Sequence, residues 1–142
     1  SGASVFGPLH SSELALVDSV SEEISKIAGS ADVTLLAPLG IGNHVDHQLT
    51  PRAAEEVDLT LCYYSDFPYV LKNEHLIGYQ LPQGAKGEVA PVSRQGLEKW
   101  QDAMAAYTSQ IGTFWPDTDA MRATVEAYWA SVEGVQLWHP PV

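Results

Sequence analysis

Apolar positions along the chain fall into two rhythms. Leu14, Val17, Val20, Ser21, Ile24, Ile27 and Ala28 step by three and four, which predicts an amphipathic helix with one buried stripe. Ser11 or Ser12 can cap it, Glu13 suits its positive end, and Gly29 suits a left-handed stop. The second rhythm is an unbroken apolar run. Val33–Ala37 and Leu59–Tyr64 are apolar on both faces, which predicts central parallel strands. Residues 44–57 between them read as a helix, so the three make a βαβ crossover. Pro51 leaves two starts open: a cap at Asn43 with a bend, or a cap at Thr50 with Pro51 at the first helical position.

Beyond Tyr64, the stretch Asp66-Phe67-Pro68-Tyr69 reads as a turn and Leu76–Leu81 as a further strand. Residues 82–87 form a loop, and Glu88–Val92 an edge strand, because Pro91 cannot donate to a ladder. Ser93 caps a long helix with the stripe Leu97, Trp100, Met104, Tyr107 and Ile111, ended by Gly112. Pro116-Asp117-Thr118 opens a last helix with the stripe Met121, Val125, Tyr128 and Val132. Gly134 stops it, and Val135–Trp138 is a short final strand. The chain opens on a helix with no strand before it, and only two strands read as central and parallel. A sheet short of its first half is therefore expected.

Composition narrows the partners. The formal charge is −11, from 18 acidic and 7 basic residues, which makes nucleic acid and anionic membrane surfaces poor partners, and neither is expected. No apolar stretch is long enough to span a membrane, and no signal peptide is expected. Cys62 is the single cysteine, inside an apolar run, and reads as an inert core thiol; with no internal disulfide, a reducing cytoplasm is expected. Ser1-Gly2-Ala3, without an initiator Met, reads as a cloning scar or a cut site.

The chemistry concentrates where the first strand hands over to the helix. In open α/β sheets, ligands bind beyond the carboxyl ends of the strands. His44, Asp46 and His47 follow the first strand, and Asp66 and Tyr69 the second. Gly40 and Gly42 let the backbone turn tightly just upstream. Neutral imidazole is the commonest metal ligand, and a carboxylate can ligate or orient it. A catalytic zinc takes three protein ligands and keeps a position for water, while a second histidine can steady a developing oxyanion. Two further readings stay open. The histidines can be turn residues bonded to backbone. Alternatively, Gly40-x-Gly42 with Asp66 beyond imitates a dinucleotide fingerprint, although Val45 stands where its third glycine belongs.

Pro38-Leu-Gly-Ile-Gly-Asn-His-Val-Asp-His47 resembles the second active-site motif, H-P-D-H or H-V-D-H, of the LmbE-like or PIG-L (GlcNAc-PI de-N-acetylase-like) zinc-dependent N-deacetylases. Tyr63-Tyr64-Ser65-Asp66-Phe67-Pro68-Tyr69 is similar to that family's Y-E-D-x-P-Y segment, with Ser65 where an acid is usual. Lys99 through Ala106-Tyr107-Thr108-Ser109-Gln110 resembles its K…A-Y-x-S-Q helix. The resemblance implies a Rossmann-like three-layer α/β sandwich with a largely parallel sheet. Residues 1–142 would be the C-terminal part of one such domain, with the N-terminal half absent. It implies that His47 ligates Zn2+ or another divalent metal, that His44 stabilises the oxyanion with Asp46 holding it, and that Asp66 and Tyr69 line the substrate cleft. The family's A-H-P-D-D-E motif has no counterpart here. The implied activity of the intact protein is removal of acetyl from an N-acetylated amino sugar or similar amine. The competing expectation for this chain alone is a catalytically silent half that binds a complementary fragment or forms a homo-oligomer.

Other candidates read as structural. His10, His75 and His139 have no acidic or histidine neighbour at metal spacing. Trp100, Tyr107, Tyr128 and Trp129 fall on or beside helical stripes, where aromatics build cores. Glu55-Glu56 reads as a solvated helix face, with Arg52 at i,i+4 to Glu56.

Overall fold

The structure is a computed structural model that describes residues 5–29 and 32–141; the reading of Ser1-Gly2-Ala3 lies outside these. The helices are α1 Leu14–Ala28, α2 Val45–Glu55, α3 Val70–Asn73, α4 Ile77–Gln80, α5 Arg94–Ala105, α6 Thr108–Phe114 and α7 Thr118–Val132. The strands are β1 Thr34–Pro38, β2 Thr60–Tyr64, β3 Lys86–Pro91 and β4 Gly134–His139, in one sheet of order β1-β2-β4-β3. Among the described residues no helix is long and apolar enough to cross a membrane.

The chain divides into two compact units, Ser1–Gly87 with Leu137–Val142, and Glu88–Gln136. In the first, β1, α2 and β2 form the expected crossover, with β1 and β2 parallel and Thr34 opposite Thr60. β2 then pairs antiparallel with β4 through Tyr63–Trp138 and Tyr64–Leu137, so the parallel order is confined to β1 and β2 here. The core of this unit gathers Val17, Ala37, Leu39, Ile41, Ala53, Ala54, Cys62, Tyr63 and Val70. Cys62 is buried, as an inert core thiol should be.

In the second unit, α5 and α7 bury Leu97, Met121 and Val125, side chains worth about 1.5–3 kcal/mol each when removed from water. Gln101 Nε2 donates to the Arg122 carbonyl at 2.9 Å, and the Trp129 indole N–H donates to the Val92 carbonyl at 2.8 Å. Asp117 caps α7 by accepting from the Ala120 N–H at 2.8 Å, and Ser93 caps α5 by accepting from the Gly96 N–H at 3.1 Å.

Four elements depart from the sequence reading. β1 is an edge strand, not a central one, and Leu36 is 54% exposed. The strand expected over 76–81 is instead a 3-10 turn, Glu74–Leu76, followed by α4, closed by the Leu81 N–H on the Ile77 carbonyl at 3.0 Å. A short apolar run does not distinguish a strand from a turn of helix. The long helix from Ser93 breaks at Ala106-Tyr107, where the Tyr107 N–H reaches back three residues to Met104. Tyr107 is therefore 70% exposed, off the buried stripe, and α6 runs past Gly112 to Phe114. Finally, His10 caps the turn before α1, where Ser11 or Ser12 was expected.

Candidate active site

The site is built from the turn after β1. The Leu39 N–H donates to the Tyr64 carbonyl at 3.0 Å and ends the β1–β2 ladder. Gly40 and Gly42 then adopt φ +87° and +97°, and Asn43 +58°, so three of four successive residues lie in the left-handed region. Gly42 is required sterically as well. A Cβ there would lie 2.5 Å from the Tyr69 ring. The turn thus passes flat against Tyr69.

His44, and neither Asn43 nor Thr50, caps α2. Its backbone is extended at φ −72°, ψ 140°, and its Nδ1 accepts the Asp46 N–H at 3.2 Å. A neutral imidazole with Nδ1 accepting carries its proton on Nε2. The Asp46 carboxylate is 3.8 Å from the same Nδ1, beyond hydrogen-bonding reach, and 80% exposed. Asp46 therefore orients His44 through its backbone N–H, where the sequence reading used its side chain. Pro51 sits inside α2 and has no N–H to offer the His47 carbonyl four residues back. Gly40 approaches that carbonyl so closely that a Cβ would lie 3.1 Å from it.

His47 is one turn on. Its Nδ1 lies 2.6 Å from Asp66 Oδ1, and the Asp66 side chain is completely buried. The other oxygen of Asp66 accepts the Ile41 N–H at 3.0 Å, from within the glycine turn. One carboxylate from the end of β2 thus fixes both the turn after β1 and the His47 ring. With both oxygens engaged and no exposure, Asp66 supports His47 from beneath. The sequence reading had placed it along a substrate cleft. Tyr69 packs edge-on to His47, with ring centroids 5.1 Å apart, and the His44 and His47 rings are 5.6 Å apart. Burial, helped by the Asp66 charge, pushes the Tyr69 hydroxyl above its ordinary pKa, as it does that of Tyr64. Tyr69 therefore offers a neutral hydroxyl.

The structure brings His44, Asp46, His47, Asp66 and Tyr69 into one neighbourhood. Beside them is a pocket of about 250 Å³ lined by Gly40, His47, Gln48, Arg52, Glu55 and Gln80, among others. Tyr63 reaches its wall and donates to Glu55 Oε1 at 2.6 Å; burial, then this bond and the Glu55 charge, raise its pKa strongly. Among the described residues, no group of three or more His, Cys, Asp or Glu side chains could hold a metal ion.

One contribution had no signal in the sequence. Residues 5–7 lie across the site as a strap. Phe6 pairs with His44 in an isolated antiparallel bridge, the Gly7 N–H donates to Asn43, and the Val45 N–H donates to Val5. Gln48 Nε2 donates to the Gly7 carbonyl at 2.6 Å, and the Phe6 ring stands edge-on to His44 at 5.4 Å.

No protein-family model and no curated protein sequence matches the chain. Among solved structures it is similar to a deacetylase of the teicoplanin biosynthesis pathway, crystallised as a deacetylase–bog complex. The identity is 24% and the TM-score 0.70, over 92% of this chain and 56% of that one. The likeness is one of fold: a mixed α/β structure with a four-stranded sheet, matching a deacetylase fold. This chain spans little more than half of the deacetylase's length.

Proposed function

We propose that this chain is the part of a zinc-dependent N-deacetylase that contributes one metal ligand and the oxyanion donor. The observation that carries the proposal is the buried Asp66 carboxylate on His47 Nδ1. A carboxylate there keeps the proton on Nδ1 and directs the Nε2 lone pair outward, the arrangement found behind metal-bound histidines. The fold of a deacetylase and the segments resembling the LmbE-like family support the same reading. They favour it over a dinucleotide site, which has no use for a histidine held in this way.

The remaining steps belong to the chain's own residues. His44 carries its proton on Nε2 and can donate it as a hydrogen bond to an acyl oxygen gaining negative charge. Asp46 holds that ring by its backbone N–H, and Tyr69 stands against His47 with a protonated hydroxyl that can meet a substrate. A bound zinc would supply Lewis-acid polarisation and an activated water. His47 alone does not make a three-ligand site, so the other ligands and the general base lie outside these residues. The substrate class is an N-acetylated amino sugar or similar small amine.

For this chain by itself we propose a silent reading, because a single imidazole holds zinc weakly. Equilibrium dialysis is expected to give no tight stoichiometric zinc on the isolated chain. In the assembled protein, acetate release from N-acetylglucosamine derivatives should stop with chelator and return with zinc. Turnover indifferent to chelator would remove the proposal.

A further inference from the structure

The chain has three arginines, and two of them are tied down. Arg94 pairs with Glu126 and lies over the Trp129 ring, and Arg122 pairs with Asp102 at 2.8 Å. Arg52 is different. It is exposed, and among the described residues it has no ion-pair partner; the pair with Glu56 that the helical spacing suggests does not form. Arg52 lines the pocket of about 250 Å³ beside His47. The other polar groups there are largely committed. Glu55 Oε1 accepts the Tyr63 hydroxyl at 2.6 Å, and Gln48 Nε2 donates to the Gly7 and Asn43 carbonyls. Gln80, in the same lining, has no side-chain hydrogen bond among the described residues. The Arg52 guanidinium is thus the permanent cation of this pocket, with the Gln80 amide as a further free donor.

We propose that Arg52 sets the specificity of the site by binding an anionic group, phosphate or carboxylate, carried on the N-acetylated substrate; this rests on the deacetylase reading above. A guanidinium presents a planar fork of N–H donors that meets either group through two parallel hydrogen bonds. Arg52 also borders a second hollow of about 520 Å³, with Asp18, Glu55 and Glu56 in its walls. Three carboxylates repel an anion there. On the His47 side Glu55 is the only carboxylate in the lining, and Tyr63 donates to it, so that is the side an anion enters. The helix fixes where the charge must sit on the substrate. His47 and Arg52 both lie on α2, five residues and so about 7.5 Å apart along its axis. With the amide held at His44 and His47, the anion belongs on the far side of one sugar ring, on the exocyclic carbon across from the 2-acetamido group. The net charge of −11 opposes anions at long range, so the contact acts at short range and is screened by salt. A polyanion needs clustered cations, whereas one small anion needs a single guanidinium.

The test titrates this chain at low salt with N-acetylglucosamine, its 6-phosphate and its 6-uronic acid, reading the Arg52 and Gln80 side-chain N–H signals by NMR. At least one anionic sugar is expected to bind about tenfold more tightly than the neutral one, as one charge-assisted hydrogen bond requires, and to shift both signals. The stronger of the two names the anion. Arg52→Gln should erase the preference, and Arg52→Lys should keep part of it. Arg52 is exposed and makes no ion pair, so neither variant should unfold the chain, and circular dichroism checks this. Equal affinity for all three sugars overturns the proposal, as does a preference that survives Arg52→Gln. So does inorganic phosphate binding as tightly as the sugar phosphate, since the sugar is then not read. Zinc and turnover play no part in this measurement. An anion preference lost in Arg52→Gln, with no acetate released by the assembled protein, upholds the anion site and removes the deacetylase reading. Acetate released equally fast from neutral and anionic sugars, by wild type and Arg52→Gln alike, does the reverse.

Discussion

The Nδ1 of His47 lies 2.6 Å from a carboxylate oxygen of Asp66, nineteen residues further along the chain and wholly buried. The two come from different elements, the first turn of α2 and the end of β2, and the second Asp66 oxygen takes the Ile41 N–H. If this pair presents Nε2 to a metal, Asp66→Asn should lower zinc affinity about 10- to 100-fold in the assembled protein. Competition against a chromophoric chelator measures it. His47→Ala should abolish tight binding. In the isolated chain, His47→Ala leaves one buried carboxylate oxygen without its partner and should cost about 1–3 kcal/mol in urea unfolding. Unchanged stability would mean that solvent reaches that oxygen.

His44 has two duties that substitution can separate. As the cap of α2 it satisfies the Asp46 N–H, and losing a cap costs about 1 kcal/mol. As the oxyanion donor it should be worth about a hundred- to a thousandfold in turnover. His44→Ala should lose both. His44→Asn should recover the stability, since Asn caps well, while turnover in the assembled protein stays low and zinc remains bound. Activity recovering along with stability would reduce His44 to a cap.

Gly42→Ala should destabilise the chain by about 1–3 kcal/mol, since φ is +97° and the new Cβ would meet the Tyr69 ring. A second variant isolates the cause. In a Tyr69→Ala background the steric part of the penalty should vanish and only the backbone part remain. Thermal unfolding of the four proteins gives the coupling directly.

Stability should fall as the solution becomes alkaline. The Tyr63 pKa is raised by burial first, then by its bond to Glu55 and that residue's charge. A raised pKa means that the folded chain keeps a proton that the unfolded chain gives up near pH 10. The contribution is complete below pH 10 and is lost as the pH rises beyond it. Tyr63→Phe should flatten this loss, at a cost of about 1 kcal/mol at neutral pH for the missing hydrogen bond. Urea midpoints between pH 7 and pH 11 test both parts.

Much of the site was legible because its residues cluster in sequence. Residues 44–47 occupy a strand-to-helix turn, and the two apolar runs flanking it made the parallel pair plain. What was not legible depends on contacts at long range. The support that Asp66 gives His47 spans nineteen residues, and the strap spans about forty, so neither leaves a periodic trace. The helix break at Ala106-Tyr107 escaped notice because Tyr107 and Ile111 keep the three-four spacing across it, although only Ile111 is buried. The edge position of β1 escaped for the opposite reason. Its sequence is that of an interior strand, and only the pairing shows that one side is open.

The strap has a consequence for anyone shortening this protein. Val5, Phe6 and Gly7 precede the first helix and look dispensable in a linear diagram, yet they grip the backbone on either side of His44 and are held in turn by Gln48. Trimming those few leading residues should leave the fold standing while loosening the imidazole they brace, so a tidier truncation would yield a well-behaved sample with a disturbed centre.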